Sequence, residues 1–324
     1  MFLQGSYARQ TGTKPNGEDT HVDVDLVLVT SLDPSPHGPW TPKAVVDLFT
    51  PFLDREYPDR WKPNDRSMKI TPKGMSVTLD LVVTTAPSEI RESLTKAYRE
   101  LDEPTFRIEA RGDVDGERTS TFQEAIDRIS KAIGSADWQR QPLLIPDREL
   151  SQWVPTHPLE QIRWTTEKNG LTGGHFVNIV KALKWWRKEN PAGEHPKSYP
   201  LEHLIGDTCP NDVESVAEGL TQALERIRDN YQPWQFGHGV PVMPDRGVPI
   251  HDVYKRITAA EYLVFYDLAS KAANAARAAL DSPTNRESVG RWRAIFGAEF
   301  PEPDRAPFTP PAIAATPTTR GRYG

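Results

Sequence analysis

The chain changes its hydrophobic rhythm once, near residue 158. Before it, short apolar runs broken by turns alternate with a helical stretch over residues 1 to about 85. MFLQGS opens as a short apolar segment, and VDVDLVLVT (22–30) reads as a buried strand whose start is acidic. TPKAVVDLFTPFLDREY carries a Thr41 N-cap, Pro42 at the first helical position and apolar spacing at Val45, Val46, Leu48, Phe49, Phe52 and Leu53, so it predicts a helix. RSMKITPKGMSVTLDLVVT predicts two strands joined by a turn containing Gly74. Strands mixed with helices in this order imply a mixed sheet, α/β or α+β. Residues 86 to about 160 are charged and weakly patterned, with one expected helix, TFQEAIDRISKAIG, closed by Gly134.

Beyond Pro158 long amphipathic helices are expected. GGHFVNIVKALKWWRKEN places Phe176, Ile179, Val180, Leu183 and Trp186 on one stripe and ends before Pro191. DVESVAEGLTQALERIRDN and ITAAEYLVFYDLASKAANAARAALD supply two more. From 301 the chain holds six prolines in 24 residues without an apolar period, which predicts a disordered tail. Three segments result: 1–158, 159–300 and 301–324.

Composition narrows the classes. The 324 residues carry a net charge of −6, which argues against a surface that coats nucleic acid but leaves room for a local basic pocket. A single cysteine, Cys209, excludes a disulfide framework and a Cys-rich zinc site, and suits a reducing cytoplasm. The eight histidines show no helix-ligand spacing. No apolar run is long enough for a membrane span, and no signal-peptide pattern opens the chain.

The chemistry is expected at the acidic strand start. Asp23 and Asp25 alternate with valines, so both carboxylates share one face of the strand. Adjacent carboxylates repel unless a cation lies between them. Asp80 interrupts VTLDLVV in the same way, and if the two strands are neighbours, three acids converge. Oxygen-only ligands select hard cations such as magnesium, and two such ions suit in-line phosphoryl displacement. Gly5-Ser6 fits the same chemistry, because a glycine lets backbone approach a phosphate that the serine and nearby N–H groups hold.

GSYARQT…VDVDLVLV…VTLDLVV resembles the core of the polymerase-β-like nucleotidyltransferases. GGHFVNIVKALKWWR, HPKSYPLEHLI and PVMPDRGVPIHDVYKRITAAEYLVFYDLASKAANAA resemble the helical half of the cGAS/DncV-like nucleotidyltransferases of bacterial CBASS anti-phage systems. The resemblance implies an α+β, bilobed fold with an oligoadenylate-synthetase-like helical lobe. It implies an enzyme joining nucleoside triphosphates, ATP among them, into cyclic di- or trinucleotides with release of pyrophosphate. Asp23 and Asp25 would bind two Mg2+ ions, and Asp80 the one nearer the attacking hydroxyl. Ser6, Gly5 and Gln4 would bind the triphosphate. Lys184, Lys181 one turn earlier, Ser198 and Tyr199 would hold the nucleotide, with Tyr199 placed to stack on a base. On the helix, Lys181, Lys184 and Lys188 form one stripe away from the apolar one. Asp245 reads as a turn residue, and Trp185 and Trp186 as packing residues. Family members carry a helical segment before the Gly-Ser strand, where here only MFLQ stands, and the span from Ser6 to Asp23 is long. The terminal Gly324 would suit joining by a ubiquitin-conjugation-like CBASS partner. Nucleotide transfer to another acceptor, linear oligonucleotide synthesis and an inactive nucleotide-binding scaffold remain open alternatives here.

Overall fold

The computed structural model describes residues 1–13, 22–35, 37–92, 95, 130–131, 137–191 and 193–302. The expected helix closed by Gly134 lies almost wholly outside the described residues, as do nearly all of the tail and Gly324.

The first half is a seven-stranded mixed sheet. Strands β1 (Phe2–Gln4), β2 (Val22–Thr30), β3 (Trp61–Pro63), β4 (Met68–Ile70) and β5 (Val77–Thr85) lie in the order β1-β2-β5-β4-β3. β2 and β5 run parallel, while β1 joins β2, and β4 joins β5, in antiparallel fashion. β6 (Leu143–Asp147) meets the far end of β5 through Thr85 and Leu144, and β7 (Gln152–Thr156) pairs with β6. The expected pair of strands around Gly74 is present. The weakly patterned middle, where no strand was expected, contributes β6 and β7.

Between β1 and β2 stands a single helical turn, α1 (Gly5–Ala8). Helix α2 (Pro42–Glu56) starts as its sequence predicts: the Thr41 hydroxyl accepts from the Ala44 N–H at 3.2 Å, and Pro42 occupies the first turn. Val45 and Leu53 pack inward with Met68, Ile70 and Val83, whereas Leu48 and Phe52 face solvent. The apolar spacing of this helix is therefore wider than the face it buries.

The change to helices falls at His157–Pro158. Among the described residues six α-helices follow: α3 (Pro158–Leu171), α4 (Phe176–Glu189), α5 (Ser198–Thr208), α6 (Val216–Asn230), α7 (Ala259–Leu280) and α8 (Asn285–Phe296). Their common core takes Ile179, Val180, Leu183 and Trp186 from α4, and Leu204 and Ile205 from α5. It also takes Leu220 and Leu224 from α6, and Phe265 with an alanine row from α7. Thr258 and Glu261 close a reciprocal capping box at the start of α7. Among the described residues, no helix is long and apolar enough to cross a membrane.

Candidate active site

Strand register assembles the site. Gln4 of β1 lies opposite Asp25 of β2, Asp25 opposite Asp80 of β5, and Asp80 opposite Lys69 of β4. Residues in register on adjacent strands point to one face, so one row crosses four strands with two carboxylates at its centre. Asn64 Nδ2 (3.1 Å) and Ser67 Oγ (2.9 Å), from the turn before β4, both donate to Asp80 Oδ1. Burial raises the Asp25 pKa, and the Asp80 and Asp23 charges raise it further, to about 6. A half-buried carboxylate facing a second one is a place where positive charge is stabilised.

Gly5 shapes the other wall. Its φ of +69° lies in the left-handed region, and a Cβ there would collide with Asp25 Oδ2. Any other residue would push the turn off the carboxylate.

Both walls face a cavity of about 450 Å³ between the sheet and the helices. Of the residues that the sequence singles out, Gln4, Gly5, Ser6, Asp25, Asp80, Ser198 and Tyr199 line it, together with Asp245. Tyr199 donates its hydroxyl to Asp245 Oδ2 at 2.6 Å, and its ring lies against His203 and under Arg9. Burial and the Asp245 charge hold that hydroxyl protonated far above its ordinary range. Asp245 has the turn role expected of it, since its Oδ1 accepts from the Gly247 and Val248 N–H groups, yet its other oxygen reaches the cavity wall.

Three predicted residues stand elsewhere. Asp23 shares the carboxylate face, but its Oδ1 accepts from Lys69 Nζ at 3.0 Å and from the Thr78 hydroxyl. Lys181 is half-buried outside the cavity lining. Lys184 corrects the stripe expectation: it is 5% exposed, paired with Glu202, and donates to the Thr11 carbonyl at 3.0 Å. Helical spacing places it one turn beyond Val180, at the edge of the apolar stripe, and the segment at Thr11 and α5 cover that edge. Trp186 packs in the core as expected, and Trp185 donates its indole N–H to the Phe296 carbonyl.

Among the described residues, no three His, Cys, Asp or Glu side chains stand close enough together to hold a metal ion as placed. The expected gathering of three acids is thus met by register and not by side-chain position. The physical reason is local: Lys69 and Thr78 satisfy Asp23, while Asn64 and Ser67 satisfy Asp80. The Asp25–Asp80 pair fits a hard divalent cation, being oxygen-only, partly buried and mutually repelling. Asp23 fits once Lys69 and Thr78 release it.

Sequence reading missed Arg9, Glu202, Asn64 and Ser67. Asn64 and Ser67 left no signal, since polar residues in a turn are ordinary. Glu202 left one: a charged residue in SYPLEHLIGDT, a helix buried on nearly every side.

His203 supplies a stability test of this wall. Its Nε2 accepts from the Arg246 N–H at 3.3 Å, and burial, then the Arg246 charge, lower its pKa from 6.5 to about 4. Acid therefore protonates the unfolded chain first, and stability falls as pH drops through that window. This group should cost about 2 kcal/mol between pH 7.5 and 5 in urea titrations, and His203→Gln should remove that part of the loss. An unchanged pH slope in the variant would contradict the buried neutral imidazole.

A second cavity, of about 550 Å³, lies among Trp185, Leu220, Trp292 and Phe296. Its apolar lining offers a phosphate nothing. A third, of about 570 Å³, adjoins the first through Ser67, Tyr199 and Asp245 and carries Lys255 and Arg256.

A parallel strand pair carrying facing aspartates, beside a Gly-Ser turn and closed by a helical lobe, is the architecture of a nucleotidyltransferase. No family model matches the sequence. Curated relatives do. A cyclic AMP-AMP-GMP synthase of Enterobacter hormaechei is 39% identical over 99% of this chain and 87% of its own length. A cyclic AMP-AMP-AMP synthase of Acinetobacter is 36% identical over 93% of this chain and 72% of its own. Among solved structures, E. coli CdnC in complex with HORMA-deltaN has the same fold, with TM-score 0.59 and 17% identity over 93% of this chain and 82% of that one. Vibrio cholerae DncV does too, with TM-score 0.59 and 12% identity over 93% and 70%. The chain belongs to the cGAS/DncV-like nucleotidyltransferases, and it is a cyclic oligonucleotide synthase acting on nucleoside triphosphates.

Proposed function

We propose that the chain condenses ATP and GTP into a cyclic trinucleotide, releasing pyrophosphate at each bond, as a cytoplasmic signal in anti-phage defence. The trinucleotide reading rests on the relatives named for AMP-AMP-GMP and AMP-AMP-AMP products, which match nearly all of this chain. The observation that carries the chemistry is Asp25 facing Asp80 in register, across one cavity from the Gly5–Ser6 turn.

In this reading the Gly5–Ser6 turn binds the donor triphosphate through the Ser6 hydroxyl and backbone N–H groups, with Gln4 at its entry. Ser198 and Tyr199 border the nucleotide on the helical side, and Tyr199 fixes Asp245. Asp25, Asp80 and a released Asp23 would hold two magnesium ions. Bound there, such ions neutralise the triphosphate and polarise the attacking ribose hydroxyl. Asn64 and Ser67 keep Asp80 aimed at the hydroxyl's side of the cavity. Lys184 stands behind the turn, and Lys181 beside it adds positive potential. The acceptor hydroxyl then attacks the donor α-phosphate, and the pyrophosphate leaves toward the turn.

Mass spectrometry of the products made from all four triphosphates tests this. A phosphatase-resistant cyclic trinucleotide containing A and G is expected. A linear product, or none without an added acceptor, would overturn it.

A further inference from the structure

The Gly5–Ser6 turn has little to hold it by itself. α1 is four residues long, far below the length at which a helix is stable alone, and Gln4 at its start provides no side-chain cap. Backbone bonds close the turn: Arg9 N–H to the Gly5 carbonyl at 3.2 Å and Thr11 N–H to the Ser6 carbonyl at 2.9 Å. Between Arg9 and Thr11 sits Gln10 with φ of +59°, a left-handed conformation that a non-glycine residue keeps only where its neighbours fix it.

Those neighbours are fixed by one residue, 191 positions away from Thr11 in sequence. Glu202 of α5 accepts from Arg9 Nε through Oε2 at 3.0 Å and from the Thr11 hydroxyl through Oε1 at 3.1 Å. Lys184 of α4 pairs with the same Oε1 and donates to the Thr11 carbonyl. All four residues are buried. Burial works to raise the Glu202 pKa, but the Arg9 and Lys184 charges outweigh it and keep the carboxylate ionised. Two cations thus share one anion beside the turn, with Arg9 and Glu202 at the cavity's edge and Lys184 and Thr11 behind them, a set that is stable only while each polar atom is paired.

We propose that Glu202 is a positioning residue for the triphosphate-binding turn, fixing Arg9 and Thr11 against α4 and α5 so that Gly5 and Ser6 face the Asp25–Asp80 pair. The inference rests on the reading of that turn as the triphosphate site. Glu202 joins the sheet to the helices at the point where nucleotide enters between them.

The test compares wild type with Glu202→Gln, which keeps an oxygen for Thr11 and Lys184 but turns an amide N–H₂ toward Arg9. Calorimetry with adenosine, and with an ATP analogue blocked at the α–β bond, separates the triphosphate from the nucleoside. Glu202→Gln should weaken the analogue about tenfold, roughly the effect of one lost charge-assisted hydrogen bond, with adenosine unchanged. The KM for ATP should rise in proportion, with kcat within about threefold. Folded Glu202→Gln that binds the analogue like wild type, or loses both ligands equally, would overturn the proposal. If Glu202→Gln does not fold, Thr11→Val carries the same test, because it removes the hydroxyl bond to Glu202 Oε1 at a buried residue outside the cavity lining and leaves Arg9 and the Glu202–Lys184 pair intact. A wild type that makes no cyclic product, while the variant still loses analogue affinity, overturns the proposed activity and supports the positioning role. A wild type that binds the analogue no more tightly than adenosine overturns the triphosphate reading and this proposal with it.

Discussion

Replacing Asp25 with Asn should lower pyrophosphate release from ATP and GTP by about a thousandfold or more, the scale expected when the charge that holds catalytic cations is removed. The substitution is nearly isosteric, so the loss should not come from unfolding. It should do the opposite in metal-free protein. Asp25 lies opposite Asp80, and burial with that facing charge puts its folded pKa near 6, against 3.8 in the open chain. Ionising it in the folded state opposes folding, so stability falls as pH rises from about 4 to about 6. At pH 7 metal-free Asp25→Asn should therefore melt several degrees above wild type, and the gap should close below pH 4. A variant both inactive and less stable at pH 7 would indicate a structural role.

Gly5→Ala should have the second largest effect. The added methyl meets Asp25 Oδ2, and the φ of +69° is itself unfavourable for alanine by about 1–2 kcal/mol. Displacement of the turn by about 1 Å should cost turnover about a hundredfold. Gly74→Ala is the matched control. It has a φ of +74° with no atom within 4 Å of the added methyl. It should lose comparable stability and keep its activity. Equal activity losses in the two variants would mean that backbone strain alone, and not contact with Asp25, explains the first.

The strand pair that carries the chemistry was legible because acids at alternate positions of an apolar strand stand out against β periodicity. Once Asp80 repeated the anomaly, parallel pairing of β2 and β5 brought the acids together in register. Thr41, Pro42 and Gly74 were legible for local reasons, a cap, a first turn and a left-handed φ. What the sequence could not give was long-range. Lys184 looks like a solvated lysine on its own helix, and only the arrival of Thr11 and Glu202 shows it to be buried. β6 and β7 lie in LLIPD and QWVPT, where Pro146 and Pro155 weaken any strand pattern. Asp23's partners, Lys69 and Thr78, depend on register across three strands, which periodicity does not specify.

The most direct test counts bound ions. Manganese titrated into the protein with the blocked ATP analogue, and followed by electron paramagnetic resonance, should fill two sites per chain in wild type. In Asp25→Asn that pair of sites should be lost while the analogue still binds. Two manganese ions bound equally well without the Asp25 carboxylate would contradict the account.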